Sequence, residues 1–440
     1  MFVSFYGLLL GMGGYLSACF LGPRKAALST IILFGFGIGG LLFFWHLFLW
    51  GAVNLAGLIL LHAFSILAQV LLLKRAKKSF RLPVRFCAGD FLGLAILSVF
   101  VLEQWYGDWD SWAVWNMKAR HMAFGGRAWM TIFSYQGWTP ADYPFDYPLL
   151  LPSVVASFWS FASGGETIVP WVVGLLFSWT IFLLLNENLS ELLGRRFGLA
   201  SSLVVLLTPA FLGWSVRQYA DLPLAAYFLL AVTLLMRART PLEFAAAGFA
   251  FGLAMFLKNE GALYLVILAV AAACAGWKYG LRFRRRNLFC MLAGIMPGFL
   301  SWAAIKAVAP PHVFFSHGLA PLFSKITLSR LGQVAAEFAG VMLDWNEWVL
   351  FWPIGIALFL VLRPTAGQKS FWDSCLSIFL LLSFCSYFVV YAVTPFDIAW
   401  QIEFSFGRVL LQILPILALV LAMRLKVFLG GGATGAGGQD

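Results

Sequence analysis

Residues Ile31 to Trp50 read IILFGFGIGGLLFFWHLFLW, twenty consecutive residues without an Asp, Glu, Lys or Arg. At a rise of about 1.5 Å per residue, a helix of this length crosses the roughly 30 Å hydrocarbon core of a bilayer. The stretch Leu376 to Val390 is apolar on nearly all sides in the same way, whereas the strands of a membrane barrel alternate apolar with polar residues. The sequence therefore predicts an all-α protein of membrane-spanning helices.

The rest of the chain has the same character. Of its 440 residues, 62% are hydrophobic and 11% are charged, where a soluble domain has about 25% charged residues. The apolar runs predict a polytopic transmembrane bundle of about 13 spans. The predicted spans are Phe2 to Phe20, Ala26 to Phe48, Ala52 to Leu73, Phe86 to Leu102, Thr167 to Leu185, Leu199 to Val216, Pro223 to Met236, Phe244 to Leu257, Ala262 to Trp277, Leu288 to Ile305, Trp348 to Leu362, Phe371 to Val393 and Val409 to Met423.

The distribution of basic residues sets the predicted orientation. A net charge of +11 would suit a nucleic-acid partner, but the clusters Lys74 to Lys78 and Arg282 to Arg286 lie between apolar runs and are typical of cytoplasmic anchors. In the predicted topology 21 of the 30 Lys and Arg residues lie inside. The long segment Trp105 to Glu166 then lies outside, and no nucleic-acid partner is expected.

Four regions follow from this topology: a four-span unit (1–104), an outer loop with interfacial helices and an acidic motif (105–166), a transmembrane core (167–428) and a flexible Gly-rich tail (429–440). Within the loop, Tyr147 to Phe161 is short and contains Pro148 and Pro152, so we expect an interfacial or re-entrant helix. The first apolar run lacks a basic leader and is expected to be a retained span. The six cysteines have no CxxC spacing and indicate neither a disulfide framework nor a zinc site.

The first candidate site is the segment Asp108 to Arg120, which reads DWDSWAVWNMKAR. Its two carboxylates directly follow a span and stand among tryptophans spaced three or four residues apart. A carboxylate at the membrane surface could deprotonate an acceptor hydroxyl or bind a divalent metal. The alternative is an aromatic belt with polar caps.

Three further polar positions interrupt or flank the spans. In Arg217 to Pro223, both charge signs stand at a span boundary, and Asp221 is either a site residue or a helix N-cap. In Lys258 to Gly261, a cation and a carboxylate stand between two apolar helices, as a site or as a turn with snorkelling ends. Arg408 opens the last predicted span near the outer headgroups, as a phosphate ligand or as a membrane anchor.

As an ordered set, these motifs resemble the polytopic GT-C glycosyltransferases. The set comprises the acidic first outer loop, YPLLLP at Tyr147 to Pro152, YADLPLA at Tyr219 to Ala225 and KNEG at Lys258 to Gly261. It is similar to bacterial members related to protein mannosyltransferases and lipid A aminoarabinose transferases, and it covers about Trp105 to Arg408. The chain departs from them by having four spans before the acidic loop instead of one and by lacking a large C-terminal soluble domain.

The resemblance implies transfer of a sugar from a polyprenyl-phosphate-linked donor to a glycan, lipid or protein acceptor at the outer face of a bacterial inner membrane, with inversion. It implies Asp110 or Asp108 as catalytic carboxylate, Asp221 as a second acidic position, and Lys258, Arg217 and Arg408 as ligands of the donor phosphate. Whether Asp110 and Asp221 hold a divalent metal such as Mg or Mn stays open. Expected substrate-binding residues are Trp109, Lys118, Arg120, Asp146, Tyr147, Tyr219 and Glu260.

Two other classes are alternatives. A transporter or flippase of a lipid-linked sugar often shows repeat symmetry and ionisable residues in mid-span. Here no internal repeat is evident, and the acidic residues that fall within spans, Asp90 and Asp373, lie near the predicted cytoplasmic ends. A non-catalytic scaffold would not require charged pairs in several outer loops.

Overall fold

The computed structural model describes residues 2–21, 27–80, 87–134, 144–162, 167–280, 284–311, 324–365, 368 and 370–431. In these ranges all regular structure is helical and no strand occurs, which confirms the all-α prediction. The acidic pair is followed by a six-residue π-helix, Ser111–Asn116, and later by a 3₁₀-helix, Gly126–Phe133. The α-helices are α1 (Phe2–Leu21), α2 (Leu28–Trp50), α3 (Leu55–Arg75), α4 (Ala88–Glu103), α5 (Met117–Phe124), α6 (Leu150–Phe161), α7 (Ile168–Leu193), α8 (Arg195–Leu206), α9 (Pro209–Val216), α10 (Asp221–Arg237), α11 (Pro241–Leu257), α12 (Asn259–Tyr279), α13 (Arg285–Val308), α14 (Leu328–Leu343), α15 (Trp345–Trp348), α16 (Phe351–Val361), α17 (Phe371–Ala392) and α18 (Ile398–Gly431).

The chain is an integral membrane protein. Eight helices of the described residues are long and apolar enough to cross a bilayer: α1, α2, α3, α7, α12, α13, α17 and α18. The other five predicted spans correspond to α4, α10, α11, α16 and the pair α8–α9, each helix of which has 17 residues or fewer. About 20 residues span the hydrocarbon core without thinning it. The count of about 13 spans therefore stays a prediction.

The predicted span Leu199 to Val216 is a broken helix. Helices α8 and α9 meet at a bend of 66°. Pro209 opens α9 and has no N–H to continue the α8 hydrogen-bond ladder, and the Thr208 hydroxyl donates back to the Val204 carbonyl at 3.1 Å. The predicted span is therefore two helices, and whether the pair crosses the membrane as one span stays a prediction.

The last helix starts earlier than predicted. Helix α18 begins at Ile398 and contains 34 residues, so Arg408 lies on its eleventh residue and does not open it. Residues 398–408, predicted as an outer loop, are helical. Asp397 accepts from the Trp400 N–H at 2.9 Å, which satisfies a backbone donor of the first turn and explains the early start.

The chain divides into two compact units that alternate along the sequence. The first contains residues 1–183, 214–262 and 283–313, and the second contains residues 184–213, 263–282 and 314–440. In the second unit, Arg424 pairs with Asp373 at 2.7 Å and donates to Ser377 at 2.7 Å, so this buried cation is fully engaged. The Tyr264 hydroxyl donates to Gln412 at 2.6 Å in the same unit.

Helices α11 and α13 of the first unit pack backbone to backbone. A Cβ atom at Gly248 would collide with the Met291 carbonyl oxygen, and one at Gly252 would collide with that of Ile295. The contacting residues follow the same order along both helices, since Gly248 meets Met291 and Gly252 meets Ile295, so the two helices run parallel. Small residues permit this close approach, which is a common mode of helix association in membranes.

Helix α6 contains most of the predicted interfacial or re-entrant segment. Ten of its twelve residues are buried, including Ser153 and Ser157. A helix lying on a membrane surface would expose one face to water and bury the other. The burial of α6 by protein on nearly all sides favours the re-entrant alternative, while its depth in a membrane stays a prediction.

Candidate functional site

The predicted motif KNEG lies in the first unit, between the end of α11 and the first residues of α12. Lys258 alone separates α11 from α12 and has an extended backbone, with φ −155° and ψ 150°. Gly261 lies so close to the Ala254 carbonyl that a Cβ atom there would collide with it. The glycine thus allows α12 to start directly against the end of α11.

Lys258 makes two ion pairs. Its Nζ lies 2.8 Å from Asp221 Oδ1 and 3.0 Å from Glu260 Oε1, and the Lys258 and Asp221 side chains are only 6% and 2% exposed. Asp221 is the first residue of α10, and Ala220 occupies the N-cap position, so the N-cap alternative for Asp221 is wrong. The snorkelling alternative for Lys258 is wrong, because its amine is buried and pairs with Asp221.

A second charged cluster adjoins the first through Asn259. Asp146 is buried, and its Oδ2 accepts from Lys306 Nζ at 2.5 Å and from Asn259 Nδ2 at 3.0 Å. The Asn259 Oδ1 accepts in turn from the indole N–H of Trp302 at 3.3 Å. The parallel packing of α11 against α13 places the ends of these helices side by side and so brings Lys306 to the KNEG junction.

Lys118 adjoins the same cluster, because its amine contacts the chain directly before Asp146. It is fully buried, donates to the Pro144 carbonyl at 2.7 Å, and lies 5.7 Å from the ring centroid of Tyr147. Desolvation by burial lowers the pKa of Lys118 to about 7, the Asp146 carboxylate raises it in part, and Lys306 lowers it. Lys118 therefore anchors the chain before α6, whereas the predicted substrate residue Arg120 is exposed.

The two carboxylates of the acidic motif have different surroundings. Asp108 is exposed, accepts from the Trp109 N–H at 2.7 Å and lies 3.4 Å from Arg217 Nε. Its backbone carbonyl also accepts from the Ser111 hydroxyl, which closes a turn ahead of the π-helix. Asp110 is half-buried, and its N–H donates to the Tyr219 hydroxyl at 3.1 Å. The indole of Trp109 is 76% exposed, as a side chain that contacts a ligand or a membrane surface would be.

Residues 217–221 connect the acidic motif to Lys258. Arg217 reaches Asp108, Tyr219 reaches the Asp110 backbone, and Asp221 reaches Lys258. A cavity of about 230 Å³, including its open mouth, adjoins this connection. Its polar wall consists of Asn116, Gln218 and Tyr219, and its apolar wall consists of Leu151, Val155, Pro170, Gly174 and Pro223.

Of the predicted site residues, all but Arg408 belong to the first unit; Arg408 is half-buried in the second. No three His, Cys, Asp or Glu residues of the described ranges are grouped as metal ligands, and Asp221 faces a lysine. Sequence reasoning missed Gln218, Asn259 and Lys306. Lys306 stands directly after a predicted span, as Lys258 does, and this shared position is the signal that could have found it.

Comparison of the chain with protein-family models, curated proteins and solved structures finds no match to any of the three.

Proposed function

We propose that the protein transfers a sugar from a polyprenyl-phosphate-linked donor to a glycan, lipid or protein acceptor on the outer face of a bacterial inner membrane. About 13 spans would then place the acidic motif and the KNEG junction on that face. The observation that carries the proposal is the connection of the acidic motif, residues 217–221 and Lys258 within one unit. Asp221 and Lys258 are buried, and buried ionisable groups of a membrane protein are costly and commonly mark a functional site.

Asp110 is the better candidate for the general base. Asp110 is half-buried beside Tyr219, whereas the Asp108 carboxylate is exposed and accepts a backbone N–H of its own turn. Asp110 takes the proton from an acceptor hydroxyl while that oxygen attacks the anomeric carbon, a contribution of about 10²- to 10⁴-fold. The bond between the anomeric carbon and the phosphate oxygen breaks, and polyprenyl phosphate leaves with the electron pair.

Arg217 is the better candidate for the first phosphate ligand. Its side chain is 33% exposed, stacks on Trp214 at 4.0 Å, and has only an exposed ion pair to exchange for a phosphoryl group. Guanidinium groups bind phosphoryl oxygens in a bidentate geometry. The charge of Lys258 is already balanced by two carboxylates, so its main role in this proposal is to orient Asp221. Arg408 stays a second candidate ligand of the donor phosphate.

A transporter or flippase of the lipid-linked sugar is the second candidate. The observation that favours it is the 66° break between α8 and α9, because discontinuous helices line the substrate sites of many transporters. Transport alone leaves the bond between sugar and phosphate intact, so the chemical fate of the donor separates the two functions.

The test uses the full chain in nanodiscs with polyprenyl-phosphate-linked hexoses as donors and a membrane lipid extract as acceptor. Release of polyprenyl phosphate, measured by mass spectrometry, supports the transferase, and Asp110→Asn should lower it by orders of magnitude with little change in donor binding. No release by the wild-type protein, together with movement of an intact donor across vesicle membranes, would replace the transferase with the transporter.

A further inference from the structure

Gln218 has an unusual backbone for a residue with a side chain. It is buried, and its φ of +57° lies in the left-handed region, where non-glycine residues are uncommon. A glycine would adopt this conformation without steric cost. Such backbone strain persists where surrounding contacts hold the residue in place, so the contacts of the Gln218 side chain explain its conformation.

The Gln218 amide joins both ends of the acidic segment, defined as residues 105–116. Its Nε2 donates to the Trp105 carbonyl at 3.1 Å, and its Oε1 accepts from Asn116 Nδ2 at 3.3 Å. Two glycines leave room for this side chain: a Cβ atom at Gly107 would lie 3.0 Å from Gln218 Cδ, and one at Gly174 would lie 3.3 Å from its Cγ. The side chain therefore bridges the first and last residues of the segment that carries Asp108 and Asp110.

The neighbours of Gln218 contact the same segment at intermediate points. Arg217 pairs with Asp108, and the Tyr219 hydroxyl accepts from the Asp110 N–H. The Arg217 contact is exposed and long, and such pairs contribute little. The Gln218 amide bridge, together with the Tyr219 hydroxyl, then fixes the acidic segment to residues 217–221, and Gln218 contacts both ends of the segment.

We propose that Gln218 is a positioning residue that holds the acidic segment at a fixed place relative to Asp221 and Lys258. Its effect on turnover rests on the proposed transferase function, but its structural effect does not. Both the side-chain amide and the chain length matter. Glycine and asparagine accept the left-handed backbone, yet neither side chain can span from Trp105 to Asn116.

The test compares Gln218→Gly and Gln218→Asn with the wild-type protein in nanodiscs by hydrogen–deuterium exchange of peptides that cover residues 105–116. Lys77→Gly is the matched control, because Lys77 also has a positive φ, of 50°, but is exposed and remote in sequence. At a temperature below the melting transition of each variant, both Gln218 variants should exchange about tenfold faster in this segment or more, while the control leaves exchange unchanged. Gln218→Glu keeps the side-chain length and the oxygen that accepts from Asn116, so the exchange rate of the segment should be intermediate.

Turnover of the donor gives the second measurement. Misplacement of a catalytic group by about 1 Å can cost about 100-fold in rate. The Gly and Asn variants should therefore lose about 10- to 100-fold in kcat, with KM for the donor nearly unchanged. Wild-type exchange in both variants would overturn the positioning role. If the wild-type protein turns over no donor while the variants still exchange faster, the transferase proposal fails and the positioning role of Gln218 stands.

Discussion

Removal of the Lys258 charge should destabilise the protein more than removal of the Asp221 charge. Lys258 is one cation between two carboxylates, at 2.8 and 3.0 Å, and two of the three side chains are less than 10% exposed. Lys258→Met deprives both Asp221 and Glu260 of this partner in a poorly solvated place. Loss of one partner of a buried ion pair typically costs about 3–5 kcal/mol.

Asp221→Asn removes a negative charge but keeps the size of the side chain. Lys258 still pairs with Glu260, and the repulsion between the two carboxylates disappears. The free energy of unfolding then falls by the value of one charge-assisted hydrogen bond, about 1.5–3 kcal/mol. Relief of the repulsion between the carboxylates offsets part of this loss. The double variant should be more stable than Lys258→Met alone, because it removes one of the two carboxylates that would lack their cation.

The assay is reversible unfolding in mixed detergent micelles with increasing dodecyl sulfate, followed by tryptophan fluorescence. Lys278→Met is the matched control, since Lys278 is exposed near the end of α12 and should leave the transition unchanged. An Asp221→Asn variant that is destabilised as much as Lys258→Met, or more, would refute the reasoning that one lysine serves two carboxylates.

Three further outcomes are expected. Lys118 titrates near pH 7 when folded and near 10.5 when unfolded, so the unfolded chain binds more protons between these values and stability rises with pH, by at most about 1.4 kcal/mol per pH unit. Thermal unfolding at pH 7 to 9 should show this rise for the wild type and lose it in Lys118→Met. Asp110→Asn should abolish donor turnover while Asp108→Asn retains a measurable part of it; equal loss in both would assign the base to neither alone. In a cysteine-free background, a membrane-impermeant thiol reagent should label a cysteine at Ser134 but not at Ser79 in intact cells, and the reverse pattern would invert the predicted topology.

The helical class and the pairing of Asp221 with Lys258 could be predicted from the sequence. Each follows from the free-energy cost of placing a short stretch of residues in the wrong surroundings. A long uncharged run must leave water, and a charge near the membrane must find an opposite charge. The Asp146–Lys306 pair joins residues 160 positions apart, and several other carboxylates satisfied the same local requirement. Its prediction would have required knowledge of which helices pack together.

Helix boundaries were less predictable than helix existence. Pro209 lies inside an apolar run, and composition alone continued the span through it, although the backbone breaks there. At Arg408 the opposite occurred. Polar residues suggested a loop, but α18 begins ten residues earlier. Hydropathy reports the preferred surroundings of side chains, whereas the start of a helix depends on capping contacts such as that of Asp397 with Trp400.

The place of the KNEG junction is determined by the register of α11 against α13. Gly252 abuts the Ile295 carbonyl. Seven residues after each of them in the sequence, Asn259 accepts a hydrogen bond from Trp302. Ile295 and Trp302 lie about 10 Å apart along α13, and Asn259 follows the end of α11 after the extended residue Lys258, so the glycine contact helps to set the level at which Asn259 meets Trp302. A slip of α13 by one residue would shift Trp302 by about 1.5 Å and turn its side chain by about 100°, which would separate it from Asn259. A larger residue at position 252 would therefore keep the motif intact and still displace its charges, because the motif supplies the groups and the glycine packing decides where they meet.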